Sequence, residues 1–461
     1  MARSSQPDVA DAEELRRFIE QHGITTFKAG AVDIDGVWRG KRIAAPYFAD
    51  AVWRKGTNIC NILFGWDLHD VPIPGLTYTG WQTAYPDVVL VPDLSTLAVV
   101  PWEPGTASVI CDVHELDGAP LPLSPRALLR RVAEQVAEDG YKAMCGYEFE
   151  FYVLRGTAEE LASRGFRDLA PLTHGNHTYS LYRDAGSEYI IGDIRKHLAA
   201  YGIYIEASNS EHGPGQFEVN FRYAPALQAA DQAMMLKHSV KEIAASHGCT
   251  ASFIAKLSPG WAGSSAHLHQ SLHGLDGTPA FANSSDPARL SATGEAYLAG
   301  VLDLAKDFTA LYLPTINSYK RTEGGSWAGS SVTWGTDNRT VAVRAIPSPG
   351  PAARIENRVA GADANPYLVI AGNLAAGLHG IRKGLAPPPM VTGNAYEQVD
   401  DTTALPASLE AAAAALAGST TARTLLGDAF VDHFAATRRW EVDQSRSAVT
   451  DWEIARYLEH I

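Results

Sequence analysis

The segment Gly146-Tyr147-Glu148-Phe149-Glu150-Phe151-Tyr152 constrains this chain more than any other. Carboxylates and aromatics alternate with a period of two, the repeat of a β-strand, so Glu148 and Glu150 share one face while Phe149 and Phe151 share the other. The aromatic face can anchor the strand in a core. Two carboxylates side by side repel, and each raises the other's pKa unless a cation lies between them. A half-exposed strand with two solvated glutamates fits the same pattern, so the reading turns on what other segments bring to that face.

Three further segments carry matching chemistry. In Glu211-His212-Gly213-Pro214-Gly215-Gln216-Phe217-Glu218, the Gly-Pro-Gly turn separates Glu211 from a strand bearing Glu218 and can return it to the strand face. In Gly263-Ser264-Ser265-Ala266-His267-Leu268-His269-Gln270-Ser271, the same period puts His267 and His269 on one face, an arrangement suited to metal ligands or phosphate contacts. Arg321, Arg339, Arg344, Arg354 and Arg358 follow in strand-like surroundings, with Arg354, Glu356 and Arg358 on one face. Any one of these arginines alone reads as a surface ion pair. Guanidinium groups spaced along several strands suit carboxylate or phosphate recognition. Five glutamates and one histidine can supply two hard-cation sites rich in oxygen, which fits magnesium or manganese carrying nucleotide phosphates better than zinc. No G-x-x-x-x-G-K-[ST] loop and no G-x-G-x-x-G before a helix occur, which excludes P-loop and Rossmann enzymes.

The formal net charge of -14 argues against nucleic acid or an anionic membrane as partner. Cys60, Cys111, Cys145 and Cys249 lack C-x-x-C spacing, so neither a zinc site nor a disulfide frame is indicated. No signal peptide and no bilayer-spanning apolar run are recognised, and the expected location is cytoplasmic. The pattern predicts an α+β chain. A helix near 12–22 precedes short strands that include 27–32, 88–91 and 97–100. A Pro-rich junction at 120–125 leads into a helix over 126–138. Helices are expected near 227–247 and 292–312, a surface helix in the Ala-rich 404–416, and a loop over 392–406.

These motifs, in this order, resemble the glutamine synthetase family, and the resemblance covers essentially the whole chain. Arg39-Gly40-Lys41-Arg42 and the strands after it resemble its small N-terminal β-grasp domain, placed at 1–115. Glu148 onward resembles its catalytic domain, with a curved antiparallel sheet, placed at 116–461. Gly361-Ala362-Asp363-Ala364-Asn365-Pro366-Tyr367 resembles its signature near the active-site end. The resemblance implies one metal held by Glu150, Glu211 and Glu218 and another by Glu148, His267 and Glu356, each Mg2+ or Mn2+. It implies an ATP site lined by Glu206, Tyr223, His269, Ser271, Arg339, Arg344 and Arg354. L-Glutamate would be bound by Gly263, Arg321, Arg339 and Arg358, with Arg339 and Arg358 serving catalysis. Ala262 stands where the family usually has Asn. The implied reaction forms γ-glutamyl phosphate from glutamate and ATP, then an amide, in a homo-oligomer expected to be a dodecamer of two hexameric rings with shared sites.

Ammonia-using members carry an Asp in an N-terminal loop and a Glu in a flap after Asn-Ser-Tyr-Lys-Arg. Here Gly65, beside Trp66, aligns with the first and Trp327 with the second. Losing both carboxylates predicts a pocket for an organic amine such as a polyamine or ethanolamine, with Trp66 in a loop that visits the neighbouring subunit. Asp67, Asp70 or Glu323 is expected to contact a distal ammonium. Two alternatives accompany this reading: an ordinary glutamine synthetase using ammonia, and a non-catalytic structural or regulatory relative. The context of Tyr396 departs from the modified tyrosine of some bacterial members, so modification there is not expected.

Overall fold

Asp11 starts the first helix by accepting the amides of Glu13 and Glu14 at 2.8 and 2.9 Å. The helix Ala12–His22 buries Leu15 and Phe18 and ends at Gly23, whose φ of 59° is left-handed. The computed structural model describes residues 11–323, 327–398, 400 and 402–461.

A six-stranded sheet follows, in the order Trp38–Ala44, Thr26–Val32, Thr106–His114, Asp87–Pro92, Thr57–Cys60, with Ala98–Val99 beside Thr106–His114. Thr26–Val32 runs parallel to Thr106–His114, and the other pairings are antiparallel. The strand expected at 97–100 shortens to Ala98–Val99, because the Leu97 amide closes a turn onto the Leu94 carbonyl. This sheet shares a core with the first helix, in which the Phe27 and Phe48 rings stack 3.9 Å apart.

Ser124 caps the helix Pro125–Glu138 at the junction. Arg126, 2% exposed, reaches back from that helix to Asp93 at 2.7 Å and Asp112 at 2.6 Å, and across to Asp231 at 2.8 Å. The Tyr367 hydroxyl donates to the same Asp231. One guanidinium thus ties the N-terminal sheet to two helices of the larger unit. Removing it strands three carboxylates around a buried gap, so Arg126→Met is expected to cost about 3–5 kcal/mol, read as a lowered urea midpoint.

The larger unit is built on a nine-stranded sheet. Its order is Trp334–Thr336, Val343–Ile346, Arg354–Asn357, Ala266–Gly274, Tyr141–Arg155, Gln216–Phe221, Ile205–Ser210, with Ala224–Pro225 and Cys249–Ser252 also on Tyr141–Arg155. Tyr147, Phe149 and Phe151 are buried on one face, as their alternation demands. Helices Pro125–Glu138, Ala226–Ser246 and Pro366–Lys383 pack there. A Cβ on Gly300 or Gly380 would meet a carbonyl of the facing helix at 2.1 Å, so glycine alone lets Ala292–Asp303 cross Pro366–Lys383 this closely.

Two expected helices differ. The stretch 292–312 breaks into Ala292–Asp303 and Thr309–Tyr312, because the turn between them delivers Leu304 and Phe308 to the core. The Ala-rich helix is Leu409–Gly418, at the surface with Glu410, Ala411 and Ala414 exposed, while Leu409, Ala412, Ala413 and Leu416 are buried where it packs on Asp428–Ser447. The 392–406 segment holds a short turn, Ala395–Gln398. Among the described residues no helix is long and apolar enough to cross a membrane.

Candidate active site

Strand register assembles the site in rows, since residues paired across a sheet project on the same side. His267 pairs with Glu148, and Glu148 with Asn220. Glu150 pairs with Glu218. Arg344 pairs with Glu356, Glu356 with His269, and His269 with Gly146. Glu211 lies at the turn between Ile205–Ser210 and Gln216–Phe221, held by the Asn209 side chain at 3.0 Å and its neighbour's amide at 3.1 Å. The glutamates and histidines singled out in four separate segments therefore converge on the face opposite Phe149.

Their electrostatics describe a site short of positive charge. Burial, then Glu148, Glu150, Glu211 and Glu356, pushes Glu218 up to about 9. Burial and Glu211 push Glu150 up to about 7, and burial raises Glu211. Burial acts upward on Glu148 too, but hydrogen bonds from His267 and His269 outweigh it and hold that carboxyl well below the usual range. Burial likewise opposes ionisation of Glu356, yet His267, His269 and Arg358 bring it down to about 2. His267 falls to about 4, through burial and then Arg358. These carboxylates cannot all be charged together without an added cation.

The donor set fits divalent metals. His267 Nδ1 stands 3.5 Å from both Glu148 Oε2 and Glu356 Oε1, while its Nε2 is buried without a partner. Ligand atoms of Glu148, Glu218 and His267 lie within 4.8 Å of one another, as do those of Glu148, His269 and Glu356. His269 is nonetheless a poor ligand as placed. Arg354 Nε donates to its Nδ1 at 3.1 Å, so the neutral ring carries its proton on Nε2, which points at Glu148 at 3.1 Å with no lone pair to offer. Glu148, His267 and Glu356 remain as one set and Glu150, Glu211 and Glu218 as the other, with oxygen ligands dominating both.

Beside this cluster is a cavity of about 330 Å³ lined by Gly146, Glu148, Glu206, Asn220, Tyr223, His269, Ser271 and Arg354, among others. Gly146 explains the opening: it ends the row from Arg344 to His269 with no side chain, and an added Cβ would meet Tyr223 at 3.3 Å. Asn220, missed in the sequence, follows Glu218 at the strand period and was legible from it.

The arginines divide by availability. Arg321 sits on the short helix Ser318–Arg321 rather than a strand. It is 1% exposed, and its donors go to the carbonyls of Arg358, Val359 and Ala360 and to the Ser265 hydroxyl, so as placed it braces the loop after Glu356. An added Cβ on Gly263 would lie 2.5 Å from Arg321 Cγ, which is why that position is glycine. Arg344 donates to Glu356 at 3.0 Å and also pairs with Asp337. Arg358 pairs with Glu356 while its buried Nε lacks a partner. Arg339 is exposed on a turn, not a strand, and makes no hydrogen bond or ion pair among the described residues.

Trp327 stands 61% exposed, its carbonyl accepting from Arg358 Nη2 at 3.2 Å. Residues 324–326 of the same flap lie outside the described residues. Trp66 is held elsewhere, under the Arg39 guanidinium 4.6 Å from its ring. The expected contacts from Asp67 and Asp70 to a distal ammonium are not what the structure builds. Asp67 accepts the amides of His69 and Val71 and the Trp440 indole N–H, and Asp70 pairs with Arg39 at 2.8 Å. Glu323 is exposed. Tyr179 was missed: it is exposed with φ of 60°, and its hydroxyl lies in the field of Glu211, Glu218 and Arg339. No periodicity marks a lone loop aromatic.

Comparison with known proteins bears on this geometry. Residues 122–457 match the family model described as glutamine synthetase, catalytic domain. A glutamate–isopropylamine ligase of Pseudomonas sp. is 51% identical over 449 residues, covering 97% of this chain and 98% of the relative. A gamma-glutamylethanolamide synthetase of Streptomyces coelicolor is 39% identical, covering 97% and 96%. A glutamine synthetase of Thermotoga maritima is 33% identical, covering 97% and 99%. Among solved structures, one described as a GmaS/ADP complex superposes with a TM-score of 0.84 at 29% identity, over 96% of this chain and 99% of that one.

Proposed function

Because the chain belongs to the glutamine synthetase family, we propose that it is an ATP-dependent ligase joining the γ-carboxylate of L-glutamate to an organic amine that carries one ammonium and a small apolar or hydroxylated group. The observation that carries this reading is the disposition of carboxylates around the amine end. Trp327 occupies the flap, Gly65 has no side chain, and Asp67 and Asp70 are held by Trp440 and Arg39. Of the three carboxylates considered for a second ammonium, Asp67 and Asp70 already pair within the fold and only Glu323 is left without such a partner among the described residues, which favours a monoamine over a polyamine. The names of two relatives, the isopropylamine ligase at 51% identity and the ethanolamide synthetase at 39%, support a monoamine.

In this mechanism ATP lies in the Gly146 cavity, with Tyr223 against adenine and Glu206, Ser271, His269 and Arg354 along the nucleotide. Arg339 and Arg358 flank the γ-phosphate and the glutamate carboxylates, and their charge stabilises the transferring group. The unpartnered Arg358 Nε is the donor free for that contact. Two divalent cations, Mg2+ or Mn2+, held by the two carboxylate sets, would supply further charge neutralisation of the phosphates. The γ-carboxylate oxygen attacks the γ-phosphorus of ATP, and ADP leaves. The neutral amine then attacks the γ-carbon of γ-glutamyl phosphate, the C–O bond to phosphate breaks, and the proton lost from nitrogen leaves with the phosphate, giving the amide. Arg321 acts from below, by fixing the main chain after Arg358 and packing on Gly263. We place the enzyme in the cytoplasm as a homo-oligomer, a dodecamer of two rings, in which Trp66 lines the neighbouring subunit's amine pocket.

ADP release with glutamate, ATP and a panel of ammonium, isopropylamine, ethanolamine, putrescine and spermine tests the reading. Turnover with isopropylamine or ethanolamine is expected to exceed that with ammonium or putrescine by about tenfold or more in kcat/KM. Robust turnover with ammonium and none with the amines would sink it.

A further inference from the structure

Trp327 holds a backbone conformation that a bulky L residue rarely adopts, with φ at 60°. Such strain persists only where the surroundings over-determine it, and it concentrates at functional positions. Two neighbours do so here. Arg358 Nη2 donates to the Trp327 carbonyl at 3.2 Å. Tyr396, on the turn Ala395–Gln398, takes the Trp327 amide on its hydroxyl and donates that hydroxyl to the Ala328 carbonyl at 3.4 Å. Tyr396 is itself anchored. Its amide donates to Asn394 Oδ1 at 3.2 Å, and the preceding Ala395 amide donates to Thr340 Oγ1 at 2.9 Å. Its ring is half-buried and faces Arg321 and Arg358.

We propose that Tyr396 is a positioning residue for amine specificity: its hydroxyl clasps the Trp327–Ala328 backbone from one side while Arg358 holds it from the other, and together they present the indole as a fixed wall of the amine pocket. The inference rests on the reading of Trp327 as amine-facing. Tyr396 touches neither substrate nor metal in this role and acts only through Trp327.

The test is Tyr396→Phe, which keeps the ring and deletes both hydroxyl bonds. Kinetics are measured with isopropylamine as the amine, alone and combined with Trp327→Ala. The KM for isopropylamine is expected to rise about five- to tenfold, with the KM for glutamate and for ATP within about twofold of the parent. In the Trp327→Ala background Tyr396→Phe is expected to add nothing further, an outcome that a general structural role for the tyrosine would not give. In the complete protein without amine, hydrogen exchange at the Trp327 and Ala328 amides is expected to accelerate in Tyr396→Phe, with the core strands unchanged. An unchanged amine KM, or an equal rise in the Trp327→Ala background, would overturn the positioning role and leave the ligase reading intact. If no amine is turned over by the parent enzyme, the ligase reading fails, and the exchange measurement still decides whether the clasp exists.

Discussion

Glu148→Gln is expected to lower turnover by on the order of a thousandfold at saturating glutamate, ATP and amine. This residue is the point where the site's rows meet. It contacts His267 at 3.5 Å and His269 at 3.1 Å, and it belongs to both close groups of metal-competent atoms. The amide preserves shape but removes the charge and one of the two equivalent oxygens, so the cation between Glu148, His267 and Glu356 loses its central ligand. Binding of Mn2+, followed by calorimetry, is expected to weaken in parallel. Because His267 and His269 hold its carboxyl below the usual range, the Glu148 charge also stabilises the fold, and the metal-free melting temperature of the variant is expected to fall modestly, with the protein still folded at the assay temperature. Turnover within about tenfold of the parent would remove Glu148 from the catalytic centre.

The second large effect concerns the nucleophile. Trp327→Glu is expected to raise kcat/KM for ammonium by about a hundredfold and to lower that for isopropylamine by a similar factor. The substitution places a carboxylate where an ammonium ion must be held and stripped of a proton, and it removes an aromatic face suited to an alkyl group. Steady-state ADP release with each amine reads both changes. The companion substitution Gly65→Asp is not expected to help, since its Cβ would lie 2.4 Å from the buried Thr79 side chain, which is itself bonded to Asn61. The N-terminal loop packs too closely at Gly65 for a side chain, while the flap position stands exposed and can accept the change.

The site was legible in the sequence wherever function follows strand period. Glu148 with Glu150, and His267 with His269, are each two residues apart, and a period of two forces them onto one face before any partner strand is known. Gly213-Pro214-Gly215 marks the turn that brings Glu211 back to the face carrying Glu218. Roles set by tertiary partners were not legible. Arg321 reads like the arginines around it, but a four-residue helix turns it under the sheet into a ring of carbonyls. Asp67 and Asp70 look free in the chain, and only the approach of Trp440 and Arg39 gives each a partner within the fold. By spacing alone His269 reads as a metal ligand like His267, and only Arg354, a residue far along the chain, donating to its Nδ1, marks it as a poor one. The break in the helix after Asp303 likewise depends on packing that no local pattern encodes.

The central claim is the identity of the nucleophile, and one competition measures it directly. The enzyme is given glutamate, ATP, Mg2+ and equal concentrations of ammonium and isopropylamine, and the products are weighed by mass spectrometry. Predominant γ-glutamylisopropylamide, with ADP and phosphate formed in step, is the predicted result. Predominant glutamine would contradict it.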